Sequence, residues 1–244
     1  MGLYRDQGIV LRTWRLGESD RIVNLLTERH GKVRAVVKGV RKTKSRFGAR
    51  LEPMVHCSLL FYEGRELDIV TQAEVVEFFR PVREDLGRLA KAASLLEATD
   101  QLCQERHANP RLFVMLLGGL RALAAHDAPL LVPAFFLKLL STEGFHPLLD
   151  ECASCGGGYG LVAFDLAQGG VMCGPCAGRG DAVALSPPAL DLIRRVLGGD
   201  LGGALSAPAG PDVAEVERLA TRAMEHHLER RLRSLPVAGA LAAE

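Results

Sequence analysis

Four of the six cysteines in this 244-residue chain form a pattern that restricts how its second half can fold. Two C-x2-C pairs are separated by 17 residues, and their members are Cys152, Cys155, Cys173 and Cys176. A C-x2-C pair can place two thiolates on one ion from a tight turn, and two such turns at the ends of a hairpin complete a tetrahedron. The spacing therefore predicts a four-cysteine zinc ribbon over residues 151–181 with one structural zinc ion.

The residues between the two pairs are consistent with that hairpin. Residues 159–165 have strand character and residues 168–170 form a glycine-containing turn. A redox dithiol is the alternative, but a repeated C-x2-C at this distance favours metal, and four sulfur ligands leave no position for a catalytic water. Cys57 and Cys103 lie within a predicted strand and a predicted helix, so we expect them to be small core residues.

The first eighty residues predict five short strands separated by tight turns. Apolar and polar side chains alternate in several of these segments, as they do in strands with one wetter face. The predicted strands cover residues 7–16, 21–28, 32–38, 55–62 and 67–76. Their longest connection lies between the third and fourth strands, which favours a small closed barrel of the OB-fold type, with an SH3-like barrel as the alternative.

A run of basic residues covers the third predicted strand and the loop after it. Residues 29–50 contain nine Lys and Arg side chains and no Asp or Glu. Because uncompensated like charges repel one another, the run predicts a phosphate-binding surface, and a solvated face is the alternative. The candidate residues are Arg29, Lys32, Arg34, Lys38, Arg41, Lys42, Lys44, Arg46 and Arg50.

The basic charge is confined to the N-terminal part. The whole chain has a net charge of +1, whereas residues 1–80 carry 15 Lys and Arg against 10 Asp and Glu, a net charge of +5. No signal peptide is visible, and no apolar run approaches the roughly 20 residues of a spanning helix. We therefore expect a cytoplasmic protein.

Helical periodicity replaces the strand pattern after Pro81. The predicted helices cover residues 86–103, 110–125, 129–141, 187–197 and 211–233, with a linker over residues 198–210. Asn109-Pro110 and Ser186-Pro187-Pro188 are typical helix starts.

Signatures of catalysis are missing from the sequence. There is no phosphate-binding G-x-x-x-x-G-K-[ST] loop and no cluster of carboxylates typical of a two-metal nuclease. We therefore expect a binding protein and not an enzyme. Its few aromatic residues near the basic run are expected to be core residues rather than base-stacking platforms, which predicts weak selectivity for sequence or strandedness. They are Trp14, Phe47, Phe61 and Tyr62.

The order of several motifs resembles the RecO family of bacterial recombination mediators. They are G-E-S-D-R at 17–21, H-G-K at 30–32, K-G-V-R-K at 38–42, S-R-F-G at 45–48, L-E-P at 51–53, F-F-L-K-L-L at 135–140 and G-F-H-P at 144–147. The resemblance implies an α+β multidomain protein with an N-terminal OB-fold barrel, an α-helical domain and an inserted zinc ribbon. The predicted domains are residues 1–79 (OB-fold), 80–150 (helical), 151–181 (zinc ribbon) and 182–244 (helical, with a tail).

The resemblance also implies a function in recombinational DNA repair. Such a protein binds single- and double-stranded DNA, with the nine basic residues as candidate contacts, and anneals complementary strands without ATP. It helps to load recombinase onto single strands coated with single-stranded-DNA-binding protein, and its partners are that protein and RecR. It would act in the cytoplasm at the nucleoid. The alternatives are another zinc-ribbon nucleic-acid factor, in transcription or RNA processing, and an interaction scaffold.

Overall fold

The computed structural model describes residues 2–41, 45, 47–178 and 182–234. These residues form two compact units, one comprising residues up to Ala125 together with Arg233 and Ser234, the other His126–Leu232. Across the described residues, no helix is both long and apolar enough to cross a membrane. The four-part domain division stays a prediction, because compactness alone does not establish which parts fold independently.

The first unit contains a closed barrel of five strands. Its strands are β1 (Leu3–Leu16), β2 (Asp20–Thr27), β3 (Gly31–Val37), β4 (His56–Tyr62) and β5 (Asp68–Glu77). Their order around the barrel is β1-β2-β3-β5-β4, and β1 pairs with β4 to close it. β3 and β5 are parallel, whereas the other neighbours are antiparallel. This Greek-key order confirms the predicted OB-like barrel.

Alternation of side chains explains the barrel core. Along β3 every second residue is buried and the intervening residues are partly exposed. Val33, Ala35 and Val37 point into the core, where they join Val23 and Leu25 of β2. Ala35 lies opposite Val23 and Val33 lies opposite Leu25, so these side chains share the inner face of the antiparallel pair. The residues that alternate with them along each strand point outwards.

The first strand is longer than predicted. It begins at Leu3 and not at residue 7, because residues 3–6 pair with residues 59–62 of β4. A bulge between Val10 and Arg12 shifts the register of β1 against β2. Val10 belongs to the core and Arg12 is exposed. These two residues are two positions apart and would share a face in a regular strand, so the bulge places them on opposite faces.

A predicted reversal at His30-Gly31 joins β2 to β3. Gly31 has a φ of +67°, and a Cβ at this position would lie 1.9 Å from the carbonyl oxygen of His107. The chain that follows the second helix lies against this turn, since the Arg106 N–H donates to the Lys32 carbonyl at 3.0 Å. Only glycine satisfies both the backbone angle and the close approach.

Among the described residues of the first unit, three α-helices follow the barrel. They are α1 (Arg80–Arg83), α2 (Leu86–Leu102) and α3 (Pro110–Ala125). Asp85 caps α2 by accepting from the Arg88 N–H at 2.8 Å, and Asn109 accepts from the Leu112 N–H at 3.0 Å at the start of α3. The predicted Asn109-Pro110 helix start is thereby confirmed.

The second unit combines helices with a small sheet. Its elements are α4 (Leu131–Thr142), β6 (Leu161–Asp165), β7 (Gly170–Cys173), α5 (Gly174–Ala177), β8 (Val183–Ala184), α6 (Pro187–Gly198), α7 (Leu201–Leu205) and α8 (Pro211–Leu228). The sheet has the order β7-β6-β8, so the predicted hairpin is present and β8 adds a short third strand. Ser186 caps α6 through a hydrogen bond of 3.3 Å from the Ala189 N–H.

Two predictions for the second unit are wrong. The predicted linker contains α7, because the Asp200 carboxylate accepts from the Gly203 N–H at 3.1 Å and caps a single helical turn. The last helix ends at Leu228 and not at residue 233. Glu229 adopts a left-handed conformation with a φ of +52°, and the chain folds back so that the Leu232 N–H donates to the Glu225 carboxylate at 3.1 Å.

Candidate metal centre and nucleic-acid interface

The four predicted cysteine ligands meet at one point of the second unit. Their sulfur atoms all lie within 4.8 Å of one another. One pair comes from the turn before β6, and the other comes from the junction of β7 with α5. In the first turn the Gly156 N–H donates to the Cys152 carbonyl at 2.8 Å, and Gly156 has a φ of +72°. The predicted hairpin therefore brings the two C-x2-C turns together.

The geometry of this cluster suits a tetrahedral metal ion. A metal–sulfur distance of about 2.3 Å gives a sulfur–sulfur separation of about 3.8 Å in a tetrahedron. The Cys155 and Cys173 sulfur atoms are 3.7 Å apart, too far for a disulfide and close to that tetrahedral edge. The four thiols could therefore hold one metal ion, with no ligand position left over.

One thiol of the cluster, that of Cys152, has a lowered pKa. Cys152 is 1% exposed, and a hydrogen bond from the backbone of Cys173, acting against burial, lowers the pKa of Cys152 to about 6. Since the thiolate is the metal-binding form of cysteine, this environment favours ligation near neutral pH. Cys57 and Cys103 are also buried but lie outside the cluster, and burial raises the pKa of Cys57 to about 12. Both are core residues, as predicted.

The predicted basic residues are spread along the barrel. Arg29 is exposed in the turn between β2 and β3. Lys38 follows the opposite end of β3, and at about 3.3 Å per residue it lies about 20 Å from Lys32. Lys42, Lys44 and Arg46 lie outside the described residues. The described residues of the basic run therefore do not form one compact patch.

Acidic residues of the first unit engage two of these cations. The Lys32 ammonium donates to the Asp100 backbone carbonyl at 2.6 Å and lies 3.7 Å from the Asp100 carboxylate, with only 13% of its side chain exposed. The Arg34 guanidinium lies 3.8 Å from the Glu105 carboxylate, and 40% and 55% of the two side chains are exposed. The Lys32 ammonium is thus committed to α2, whereas the Arg34 guanidinium remains accessible.

Lys38 and Arg41 lie beside the turn between β1 and β2, which comprises residues 17–19, and both are exposed. The Arg41 N–H donates to the Ser19 carbonyl at 3.0 Å, and its guanidinium donates to the Glu18 carbonyl at 2.8 Å. Asp20 accepts from the Gly39 N–H at 2.7 Å. The start of the basic loop is therefore fixed to this turn, and both cations are exposed at this end of the barrel.

Arg50 has a different environment. It lies in the single 3-10 turn Gly48–Leu51, is exposed, and donates to the Ala73 carbonyl at 3.4 Å. Together with Arg29, Arg34, Lys38 and Arg41 it remains a candidate DNA contact.

The expectation that all four aromatic residues are core is wrong for two of them. Phe47 and Phe61 are buried, at 2% and 0% exposure. Tyr62 is 41% exposed, and Trp14 is partly exposed with the Arg12 guanidinium 5.8 Å from its ring centre. The bulge before Arg12 turns this part of β1 outwards. A signal was present in the sequence, because Trp14 lies two residues after a charged residue and therefore on the same strand face.

The chain is similar to known proteins over nearly its whole length. Residues 1–79 match the family model described as Recombination protein O N terminal, and residues 83–236 match Recombination protein O C terminal. A Frankia casuarinae protein named DNA repair protein RecO is 44% identical over 240 residues, or 97% of this chain and 98% of that protein. A Thermobifida fusca protein of the same name is 44% identical over 239 residues, or 96% and 98% of the two chains. The chain therefore belongs to the RecO family of DNA repair proteins.

Proposed function

We propose that this chain is a DNA-binding recombination mediator. It binds single- and double-stranded DNA, anneals complementary strands without ATP and helps to load recombinase onto single strands coated with single-stranded-DNA-binding protein. One observation supports DNA binding above the others: Lys38 and Arg41 are both exposed at the start of a basic loop that is hydrogen-bonded to the β1–β2 turn of an OB-like barrel. Family membership supports the repair context.

Annealing follows from the physics of phosphate neutralisation. Two single strands repel each other through their phosphates, and a surface with several cations lowers this barrier by holding both strands close together. Bound lysine and arginine side chains also release condensed counterions, which favours the complex at low salt. No covalent step is required, so the protein would act as a binder and not as an enzyme.

We further propose that the metal in the second unit is zinc with a structural role. Thiolate ligands select soft metals, and four of them close a tetrahedral site against water. When bound, zinc would hold the two C-x2-C turns and the β6–β7 hairpin together, since so small a sheet buries little apolar surface of its own. The four cysteines would be the ligands, and no step of annealing would depend on the ion.

The proposed partners are RecR and single-stranded-DNA-binding protein, and the proposed place of action is the cytoplasm at the nucleoid. Membership of a family of DNA repair proteins supports these assignments. Co-purification with each partner, with and without DNA, tests them directly.

A fluorescence annealing assay across a salt series tests the main proposal. The test variant is Lys38→Glu with Arg41→Glu, and the matched control is Arg111→Glu on the exposed side of α3. We expect the double variant to anneal complementary strands several-fold more slowly and the control to match the wild type. Equal annealing by all three proteins at moderate salt would refute the role of this surface.

Two further measurements separate the alternatives. An RNA-processing factor would prefer RNA of the same sequence over DNA, and a scaffold would bind an acidic peptide in place of an oligonucleotide. Only nucleic acid gives a steep dependence of affinity on salt, because only a polyphosphate carries a condensed counterion layer.

A further inference from the structure

A row of apolar side chains crosses the outside of the barrel. Trp14 of β1 lies opposite Ile22 of β2, and Ile22 lies opposite Val36 of β3. Val36 is also paired with Ile69 of the parallel strand β5. All four side chains are partly exposed, and since Val23 next to Ile22 belongs to the core, the row points outwards.

Cations border this row on the same face. Arg34 and Val36 are two positions apart on β3 and so share its outer face, and Lys38 follows directly after the end of the strand. On β1, Arg12 precedes Trp14 by two positions, and its guanidinium lies 5.8 Å from the indole ring centre. Isolated apolar side chains are common on protein surfaces, but an indole with a guanidinium beside it, in line with an apolar row, is a more specific arrangement.

This combination fits a polyanion that also carries flat apolar rings. Phosphates would meet Arg12, Arg34 and Lys38, and a base would meet the indole ring. Bases in a duplex have both faces covered by their neighbours, whereas an unpaired base has a face available for stacking. The arrangement therefore distinguishes single strands from duplexes, which phosphate contacts alone do not.

We propose that Trp14 is a stacking platform for a base of single-stranded DNA, with Ile22 and Val36 extending the apolar surface along the strand. The inference rests on the proposed DNA binding and adds a preference for single strands. It replaces the sequence-based expectation that binding is weakly selective for strandedness. This preference would favour release of the annealed product, because the duplex loses the stacking contact and dissociates more easily than the separate strands do.

The chain provides its own probe, since Trp14 is its one tryptophan. The experiment titrates the full-length protein with an oligothymidylate, and separately with a duplex of equal length, at the same salt concentration. Intrinsic tryptophan emission reports stacking, and the anisotropy of a dye on the DNA reports binding independently. We expect the oligothymidylate to quench the emission in parallel with the anisotropy change, and the duplex to bind with little quenching.

Three variants make the test quantitative. Trp14→Ala should weaken oligothymidylate binding by about 5- to 150-fold, the range for loss of one base–aromatic contact, and leave duplex binding within about twofold. Trp14→Phe should restore most of the lost affinity, because it retains a ring. Val76→Ala removes another exposed apolar side chain, on β5, and should change neither affinity. Thermal unfolding of each variant checks that the barrel is intact.

The possible results separate this inference from the proposed function. If both DNAs bind but the emission is unchanged and Trp14→Ala binds normally, the stacking platform is refuted while DNA binding stands. If Trp14→Ala weakens both DNAs equally, Trp14 supports the fold and the inference is also refuted. If the wild type binds neither DNA in a salt-dependent manner, the proposed function fails and the stacking platform fails with it.

Discussion

The carboxylate of Asp20 accepts a hydrogen bond of 2.7 Å from the backbone N–H of Gly39, and thereby fastens the basic loop to the β1–β2 turn. The Arg41 N–H adds a second link, to the Ser19 carbonyl at 3.0 Å. Without such links, repulsion between the like charges of β3 and the basic loop would favour separation of the loop from the barrel. Both links are made by backbone N–H groups, so they fix the start of the basic loop without using the charges of Lys38 or Arg41.

Replacement of Asp20 by alanine should loosen this end of the barrel. A hydrogen bond to a charged acceptor contributes about 1.5–3 kcal/mol, so we expect Asp20→Ala to lower the free energy of unfolding by roughly that amount. Asp20→Asn keeps an acceptor oxygen and should lose less. Urea unfolding measures both, and equal stability of Asp20→Ala and wild type would show that the Gly39 contact contributes nothing.

The salt dependence of DNA binding should reveal how many cations meet phosphates. If about six basic residues contact a single strand, the logarithm of the binding constant should fall with the logarithm of salt concentration at a slope near −4. Removal of two contacts in the Lys38→Glu, Arg41→Glu variant should make the slope shallower by about 1.4. An unchanged slope would place the phosphates elsewhere on the protein. Anisotropy titrations at several salt concentrations provide both slopes.

A buried carboxylate stabilises the junction of the barrel with the chain after α2. The Asp68 side chain is 0% exposed; it accepts from Arg106 at 2.7 Å, from the Gly64 N–H at 3.0 Å and from the Tyr4 hydroxyl. Burial tends to raise the pKa of Asp68, but hydrogen bonds from Arg106, Tyr4 and Gly64 outweigh it and hold that pKa below its ordinary value. The ionised form is thus the one that the fold stabilises.

Replacement of Arg106 should therefore lower the free energy of unfolding. Breaking a fully buried pair costs about 3–5 kcal/mol, and because the Arg106 side chain is 44% exposed we expect about 2–3 kcal/mol for Arg106→Ala. Since the folded-state pKa of Asp68 is depressed, its contribution is complete above the unfolded pKa of about 3.9 and is lost as pH falls below it. Denaturant unfolding at neutral and acid pH tests this, and the wild type and Arg106→Ala should converge in stability at the lower pH.

Protonation of His56 should oppose folding. The His56 side chain is 2% exposed, its Nε2 lies 2.8 Å from Gln7 Oε1, and burial lowers its pKa despite Glu77, 3.8 Å away. The unfolded chain, with a His pKa of about 6.5, then binds a proton that the folded chain does not. The contribution of His56 is complete above pH 6.5 and declines below it, by up to about 1.4 kcal/mol per pH unit.

His56→Gln removes this titration and retains a hydrogen-bonding side chain. The variant should show a shallower loss of stability than the wild type between roughly pH 6.5 and pH 5. Thermal unfolding at several pH values measures the difference. Identical slopes would mean that His56 binds a proton equally well in both states.

Metal removal should affect the second unit first. Chelation should release one zinc ion per chain and destabilise the hairpin, because metal binding and folding are coupled in small ribbons. Cys152→Ser should abolish the stoichiometric zinc and lower the melting temperature more than it changes DNA affinity, since the basic surface belongs to the other compact unit. Cys103→Ser, a buried cysteine outside the cluster, is the matched control and should retain the metal. A Cys152→Ser protein with normal melting and no DNA binding would reverse this assignment.

The sequence by itself determined the features that depend on short-range spacing. Two C-x2-C pairs with a strand and a glycine turn between them leave one compact arrangement for four sulfur atoms, and these lie within 4.8 Å of one another. Strand alternation and Gly31 specified the barrel segments, because side-chain period and backbone angle are local properties. Asn109 and Ser186 specified two helix starts for the same reason.

Only the tertiary structure decided which cations are available. Lys32 and Asp100 are 68 residues apart, and their contact exists because α2 lies across the barrel. The bulge that places Val10 in the core and Arg12 on the surface depends on the register between β1 and β2, which single-strand alternation does not contain. A count of charged residues in a segment considers only that segment. The electrostatic field at the surface also depends on side chains from distant parts of the sequence that pack beside it, and the fold determines which these are.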